Sequence, residues 1–337
     1  MSNIRDVAKH AGVSPATVSR ILNNNQTYKI LPETRERVLK AVTELDYKPL
    51  VQRGRSVPAA AGSKEMRAGC LLASTKGKYS DPFYLDILDG FEQEFENLGG
   101  CVPFIRIEQD LEKPEAMKSL LDMRLDGLIM MRPLSDALFT KLRQAIPHIV
   151  GIDTGHMPID NIEYDHLRVS RMAVEYLYAK GYRRIGYIGA GVGPVPLNRS
   201  RRFRSYRETM TDLGLEVRPE WILDCSWDDK LCMELVEKTY RTVGLPDAFY
   251  AASDLMAMAA LREFYKLGLK VPGDVAIIGM SNIEMSQYAN PPLTTIDVPT
   301  REIGIAAARA LAGRIRGDRT LPKRILLPSA LIERDTV

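Results

Sequence analysis

Arg20 carries the fork that can pair bidentately with the O6 and N7 edge of a guanine. Around it stand Ser14, Thr17 and Ser19, whose short hydroxyls suit phosphate oxygens and so fix register on a duplex. Pro15 and Ala16 share the same outward face. Such a set works only if a helix presents it, and the flanking residues build one. Ser14 is a good N-cap and Pro15 sits at the first helical position, where its missing N–H costs nothing. Val18, Ile21 and Leu22 turn inward. Before it, Ile4, Val7, Ala8 and Ala11 form one apolar face of a short helix, and Gly12 supplies the turn. After it, residues 33–46 place Val38, Ala41, Val42 and Leu45 on one face, and Lys48-Pro49 ends the helix. Three short helices with a Gly turn make a helix-turn-helix whose second helix enters the major groove. On periodicity alone, a three-helix protein-interaction domain with a solvated Arg20 stays open.

Charge is distributed to match. Residues 1–55 hold ten Lys and Arg against five Asp and Glu, while the whole 337-residue chain carries +3, so the remainder is slightly acidic. A basic head on a near-neutral body indicates a polyanion-binding module joined to something else. The length exceeds one typical core. A composition of 45% hydrophobic and 26% charged residues is ordinary globular usage and excludes disorder and collagen. No apolar run reaches the roughly 18 residues of a membrane helix, and Met1-Ser2-Asn3-Ile4-Arg5-Asp6 has no export signal, so a cytoplasmic protein with no membrane partner is expected.

Enzyme chemistry finds little footing. Gly189-Ala190-Gly191-Val192-Gly193 follows a strand, but Pro194 and Pro196 break the turn in which a dinucleotide site needs a helix to begin. Cys70, Cys101, Cys225 and Cys232 lack metal spacing and read as reduced core thiols. His10, His148, His156 and His166 are dispersed and read as surface or core filling. No cofactor, metal or catalytic group is expected.

From about Met66, apolar runs alternate with helix-period segments. The runs are 70–73, 102–105, 127–130, 148–152, 184–189, 248–251 and 275–279; the segments are 83–98, 135–145, 167–180, 200–213, 229–242, 255–267 and 301–316. This is the pattern of parallel sheets covered on both faces, with ligand at the carboxyl ends of the strands.

The segments Ile4-Arg5-Asp6-Val7-Ala8 and Ala11-Gly12-Val13-Ser14-Pro15-Ala16-Thr17-Val18-Ser19-Arg20-Ile21-Leu22-Asn23 resemble the N-terminal signature of the lactose/galactose repressor family. The body resembles that family's effector domain through Asp81-Pro82-Phe83-Tyr84, Gly181-Tyr182-Arg183-Arg184-Ile185-Gly186, Ala252-Ser253-Asp254 and Pro291-Pro292-Leu293-Thr294-Thr295-Ile296. Asp81-Pro82-Phe83-Tyr84 and Leu327-Pro328-Ser329-Ala330-Leu331-Ile332 look most like the branch controlling β-galactosidase and galactose-utilisation genes. The resemblance implies an α/β protein: a helix-turn-helix three-helix domain over 1–49, a hinge and linker over 50–65, and an effector-binding and dimerisation domain over 66–337. The last would hold two doubly wound, Rossmann-like subdomains of the periplasmic-binding-protein type, about 66–164 with 294–327 and about 165–293 with 328–337. Relatives carry a hinge Leu that wedges into the minor groove; here Gly54 and Ser56 interrupt that run, Val51 and Val57 are the candidate wedges, and Arg53 and Arg55 can contact phosphates.

By position in the family, Pro15, Ala16 and Arg20 read bases. Likewise Ser74, Pro82, Phe83, Asp153, Arg202, Trp227, Asp254, Ser281 and Asn282 are candidates for the ligand, in a pocket needing planar polar groups and an aromatic face. Three of these have plain structural roles available: Asp254 as a helix cap, Trp227 as core, and Arg202 as part of the solvated run Arg199–Arg204. The function implied is a repressor of galactose or galactoside genes, a homodimer on a palindromic double-stranded operator, released by a small sugar between the subdomains. Alternatives are a sugar-phosphate effector, ligand-assisted repression, or a sugar-binding protein without a regulatory role. Only five residues follow Ile332, with no heptad tail, which favours a dimer over a tail-linked tetramer.

Overall fold

A computed structural model describes residues 4–14, 17, 18, 34, 37, 38, 41, 65–72, 81–107, 110, 111, 113–155, 157–191 and 195–337. It divides into two compact units, Met1–Pro58 and Ala59–Val337.

In the first unit, α1 (Ile4–Ala11) ends at Gly12, whose φ of 65° is the left-handed conformation that the turn requires. Ser14 caps the next helix: its Oγ accepts the Thr17 N–H at 3.1 Å and lies 2.9 Å from the Thr17 hydroxyl. Val7, Ala8, Ala11, Val18, Val38 and Ala41 are all buried together, with Val13 packed against them. These are the apolar positions that the sequence spacing assigns to three facing helices.

The second unit contains two six-stranded sheets. The strands are β1 (Met66–Leu72), β2 (Gly100–Ile107), β3 (Gly127–Met130), β4 (His148–Ile152), β5 (Asp160–Tyr164), β6 (Ile185–Gly189), β7 (Ile222–Asp224), β8 (Ala248–Ala251), β9 (Ala276–Ser281), β10 (Thr295–Asp297), β11 (Arg324–Leu327) and β12 (Ala330–Ile332). The first sheet runs β11-β5-β4-β3-β1-β2 and the second β12-β10-β9-β8-β6-β7. Every pairing is parallel except β10 with β12. The helices are α2 (Pro82–Asn97), α3 (Pro114–Asp122), α4 (Asp136–Ala145), α5 (His166–Ala179), α6 (Arg201–Asp212), α7 (Asp229–Thr242), α8 (Asp254–Lys266) and α9 (Thr300–Ile315). Near-continuous apolar strands such as β3, β6 and β8 are buried on both faces, as a parallel sheet between helix layers demands.

The chain passes between the subdomains after Tyr164, after Asp297 and after Leu327. The second passage corrects the expected boundary at 294. Thr295–Asp297 extends the second sheet, because its backbone pairs with Gly279–Ser281 before the chain leaves. Cys70, Cys225 and Cys232 are buried and unpaired, and burial pushes the Cys70 thiol up. Among the described residues, no helix is long and apolar enough to cross a membrane.

Candidate functional site

A cavity of about 80 Å³ opens at the carboxyl ends of the strands, between the two sheets. Asp81, Phe83 and Tyr84 line it from the first subdomain; Arg202, Trp227, Asp254, Met256, Met280, Ser281 and Ile283 are among those lining it from the second. This is the crevice where open α/β sheets bind ligands.

Each wall residue is held by its element. Asp81 caps α2, its carboxylate accepting the Phe83 N–H at 3.0 Å, and Pro82 opens the helix. That sets Phe83 and Tyr84 edge to face, ring centres 5.1 Å apart, with Phe83 against Tyr164 at 6.3 Å. Burial raises the Asp81 pKa above the usual carboxylate value, although the Phe83 N–H and Arg202 pull it down. Burial opposes the Arg202 charge, yet the surrounding Tyr164, Tyr187 and Tyr250 hydroxyls and Asp153 hold its pKa above the ordinary value. Its Nη1–H donates to the Ala252 carbonyl at 3.2 Å, and its guanidinium lies 5.5 Å from the Trp227 ring centre. The Trp227 indole N–H donates to the Gly191 carbonyl at 2.6 Å, which fixes the ring. Trp227 is thus a packed wall residue and a cavity residue together.

Asp254 is almost fully buried, and burial pushes its pKa up to about 6. It does not cap α8: Ser253 does, through the Met256 N–H at 3.2 Å. The Asp254 carboxylate instead accepts the Thr295 hydroxyl at 2.6 Å and the Ile283 N–H at 2.9 Å, tying α8 to β10 and to the turn after β9. Asn282 is committed elsewhere, donating to Asp297 at 2.9 Å and accepting from Arg334 at 2.7 Å, and it does not line the cavity. Asp153, Trp227, Ser281 and Asn282 all have positive φ, a conformation that costs a non-glycine residue about 1–3 kcal/mol.

Asp153 lies outside the cavity wall, in a polar cluster beside the strands that cross between the subdomains, the hinge of the effector domain. It accepts the His166 Nε2–H at 2.8 Å and an Arg201 N–H. Burial lowers the His166 pKa, and the Arg202 Nε–H points at its other nitrogen at 3.4 Å, so the ring is neutral with the proton on Nε2. Burial would raise the Asp153 pKa, but His166, Arg201 and Arg202 bring it below the usual value. Glu163, fully buried on β5, accepts from Arg201 at 3.0 Å and from Arg324. Ligand atoms of Asp153, Glu163 and His166 lie within 4.8 Å of one another, a spacing that could hold a divalent ion. The Arg201 guanidinium bridges the two carboxylates and supplies the positive charge that such an ion would bring.

Of the expected ligand residues, Phe83, Arg202, Trp227, Asp254 and Ser281 line the cavity, whereas Pro82, Asp153 and Asn282 do not. Ser74 lies outside the described residues, as do Pro15, Ala16, Ser19, Arg20, Arg53 and Arg55; Ser14 and Thr17 stand at the start of the second helix. Sequence reasoning missed Asp81 and Tyr84, though their motif was in view, and the hinge cluster of Glu163, His166, Arg201 and Arg324.

Residues 3–49 match the model described as bacterial regulatory proteins, lacI family, and residues 174–337 that of a periplasmic binding protein-like domain. The HTH-type transcriptional repressor MelR of Bacillus subtilis is 32% identical over 100% of this chain and 97% of its own. The repressor PurR of Aliivibrio fischeri strain MJ11 is 31% identical over 96% of this chain and 95% of its own. Among solved structures, the transcriptional regulator CelR–cellobiose complex superposes with a TM-score of 0.72 at 27% identity, covering 100% of both chains. The lac repressor dimer bound to operator and the anti-inducer ONPF gives 0.70 at 27% identity, covering 99% of this chain and 98% of that one. With both family models matched in chain order and full-length repressors above 30% identity, the chain belongs to the lacI family of bacterial regulatory proteins and is a DNA-binding transcriptional repressor, not an enzyme.

Proposed function

We propose that this repressor acts in the cytoplasm as a homodimer on a palindromic operator, and that a neutral sugar of the galactose or galactoside class, held in the cleft, releases it. The observation that carries the sugar reading is the pairing of one half-buried guanidinium, Arg202, with the Trp227 face on one side and Asp81 within electrostatic reach on the other. Guanidinium and carboxylate together match the donor and acceptor of vicinal hydroxyls, and the ring matches the apolar face of a pyranose. The same balance speaks against a sugar phosphate. Arg204 is exposed and Arg201 is spent on Asp153 and Glu163, so among the described residues one arginine, Arg202, lines the cavity where a phosphate dianion would want several. MelR and the CelR–cellobiose complex support a ligand-responsive repressor, and Asp81-Pro82-Phe83-Tyr84 supports the galactoside branch.

Within this reading, Pro15, Ala16 and Arg20 contact bases, Ser14, Thr17, Ser19, Arg53 and Arg55 contact phosphates, and Phe83, Arg202, Trp227 and Ser281 contact the sugar. Gel shifts on the operator with galactose, galactosides and sugar phosphates test it. Release by a neutral galactoside alone is expected; release by sugar phosphates alone overturns the neutral-sugar assignment.

A further inference from the structure

We infer that Arg201 is a clasp across the hinge, a positioning residue whose grip on Asp153 and Glu163 sets the balance between the operator-binding and the sugar-bound forms. The inference rests on the ligand-released repressor reading above. Arg201 begins α6 in the second subdomain, whereas both its partners belong to the first: Asp153 follows β4 and Glu163 lies on β5. Glu163 is one residue before the end of β5, where the chain leaves for the second subdomain, and it sits opposite Leu326 on β11, one residue before that strand too ends. Arg201 therefore spans the hinge close to two of its three strands.

Neither carboxylate needs Arg201 for its own satisfaction. Glu163 already has Arg324 from the neighbouring strand, and Asp153 already has the His166 N–H. Tyr164 and Arg202 are the other ionisable side chains nearby. The His166 N–H also reaches Asp153 from the second subdomain, since α5 follows the crossing after Tyr164; what Arg201 adds is a charged bridge across the hinge that takes in both Asp153 and Glu163. Glu163 is fully buried while Arg201 and Asp153 are about one-third exposed, at 34% and 32%; ion pairs held at contact distance weaken as their charges separate, most of all where one partner is shielded from water. A pair that spans a hinge is thus sensitive to rotation there.

The neighbouring residue supplies the link to ligand. Arg202 lines the cavity and Arg201 grips the hinge, on consecutive positions of one helical turn. A ligand that draws Arg202 inward moves the α6 N-terminus and with it the Arg201 fork, so occupation of the cavity and engagement of the clasp are alternatives in one backbone motion.

The test uses the full-length protein with R201M, which keeps the length and apolar stem but removes the charge, and R201K, which keeps the charge but loses the fork. Operator affinity is measured without sugar, and sugar affinity without DNA. R201M is expected to shift the two in opposite senses by about fivefold or more, with R201K intermediate. Both affinities within twofold of the unaltered protein, or a parallel shift in a protein whose sugar releases operator, overturns the clasp. If no sugar affects operator binding by the unaltered protein, the sugar reading has failed. The clasp is then judged on operator affinity together with hydrogen exchange at 164–166 and 297–300: a fivefold shift in operator affinity with faster exchange in R201M supports it, and any other result overturns it.

Discussion

Two adjacent arginines show how far position governs a side chain's role. Arg202 lies half-buried over Trp227 at the cavity, while Arg201 bridges the hinge carboxylates. In the proposed sugar complex, removing the Arg202 charge strips a ligand hydroxyl of a charged donor, worth about 1.5–3 kcal/mol. R202M is therefore expected to weaken sugar binding about 10- to 100-fold in a tryptophan-fluorescence titration; unchanged affinity would contradict the assignment. His166 yields a pH prediction. Its folded pKa is lowered by burial, so below the ordinary value of 6.5 the unfolded chain takes up a proton that the native state refuses. That cost is absent above about pH 6.5 and grows, by up to about 1.4 kcal/mol per pH unit, as the pH falls toward the folded value. Asp254, raised to about 6, contributes the opposite slope between 3.8 and 6, so the comparison must be between variants. H166Q, which keeps a donor toward Asp153, is expected to lose acid sensitivity relative to the unaltered protein in urea unfolding at pH 7 and pH 5; equal losses in both would refute this.

The elements that carry these residues depend on close backbone approaches. Helices α2 and α9 meet where a Cβ on Gly304 would lie 2.0 Å from the Ile87 carbonyl, and one on Gly90 would lie 2.3 Å from the Arg301 carbonyl. G304A is expected to cost about 1–3 kcal/mol in denaturant unfolding, as overpacked cores do; a neutral result would mean that the helices separate freely. Most strands were legible in the sequence because sheets covered on both faces write continuous apolar runs, as in Gly127-Leu128-Ile129-Met130. Strand β5 was not, since it buries Asp160, Asn161 and Glu163, and no hydrophobic pattern marks a strand whose polar side chains bond to groups outside it such as Arg314, Thr154 and Arg201. The hinge cluster was hidden for the same reason: Arg199–Arg204 reads locally as a solvated face, and only the tertiary fold separates Arg201 and Arg202 from exposed Arg204. Arg202, Trp227 and Asp254 were legible through their places in the family pattern, although Asp254 serves as a tie between strands and not as the helix cap that its sequence position suggests.

At the scale of the whole molecule, a basic head reads DNA and a near-neutral body carries the cleft that governs it. Binding linkage makes that control reciprocal: a sugar that weakens operator binding tenfold is itself bound tenfold more weakly when operator is present. This separates true release from competition by salt or aggregation, which has no such symmetry. The most direct measurement is the affinity of the full-length protein for its selected palindromic operator, by fluorescence anisotropy at fixed salt, across a titration of a neutral galactoside. The account predicts that operator affinity falls with saturable dependence on the galactoside, by about fivefold to 150-fold at saturation, and that R202M shifts the titration to higher sugar concentration. Operator affinity that stays constant at every galactoside concentration, in a protein that binds the operator, would contradict it.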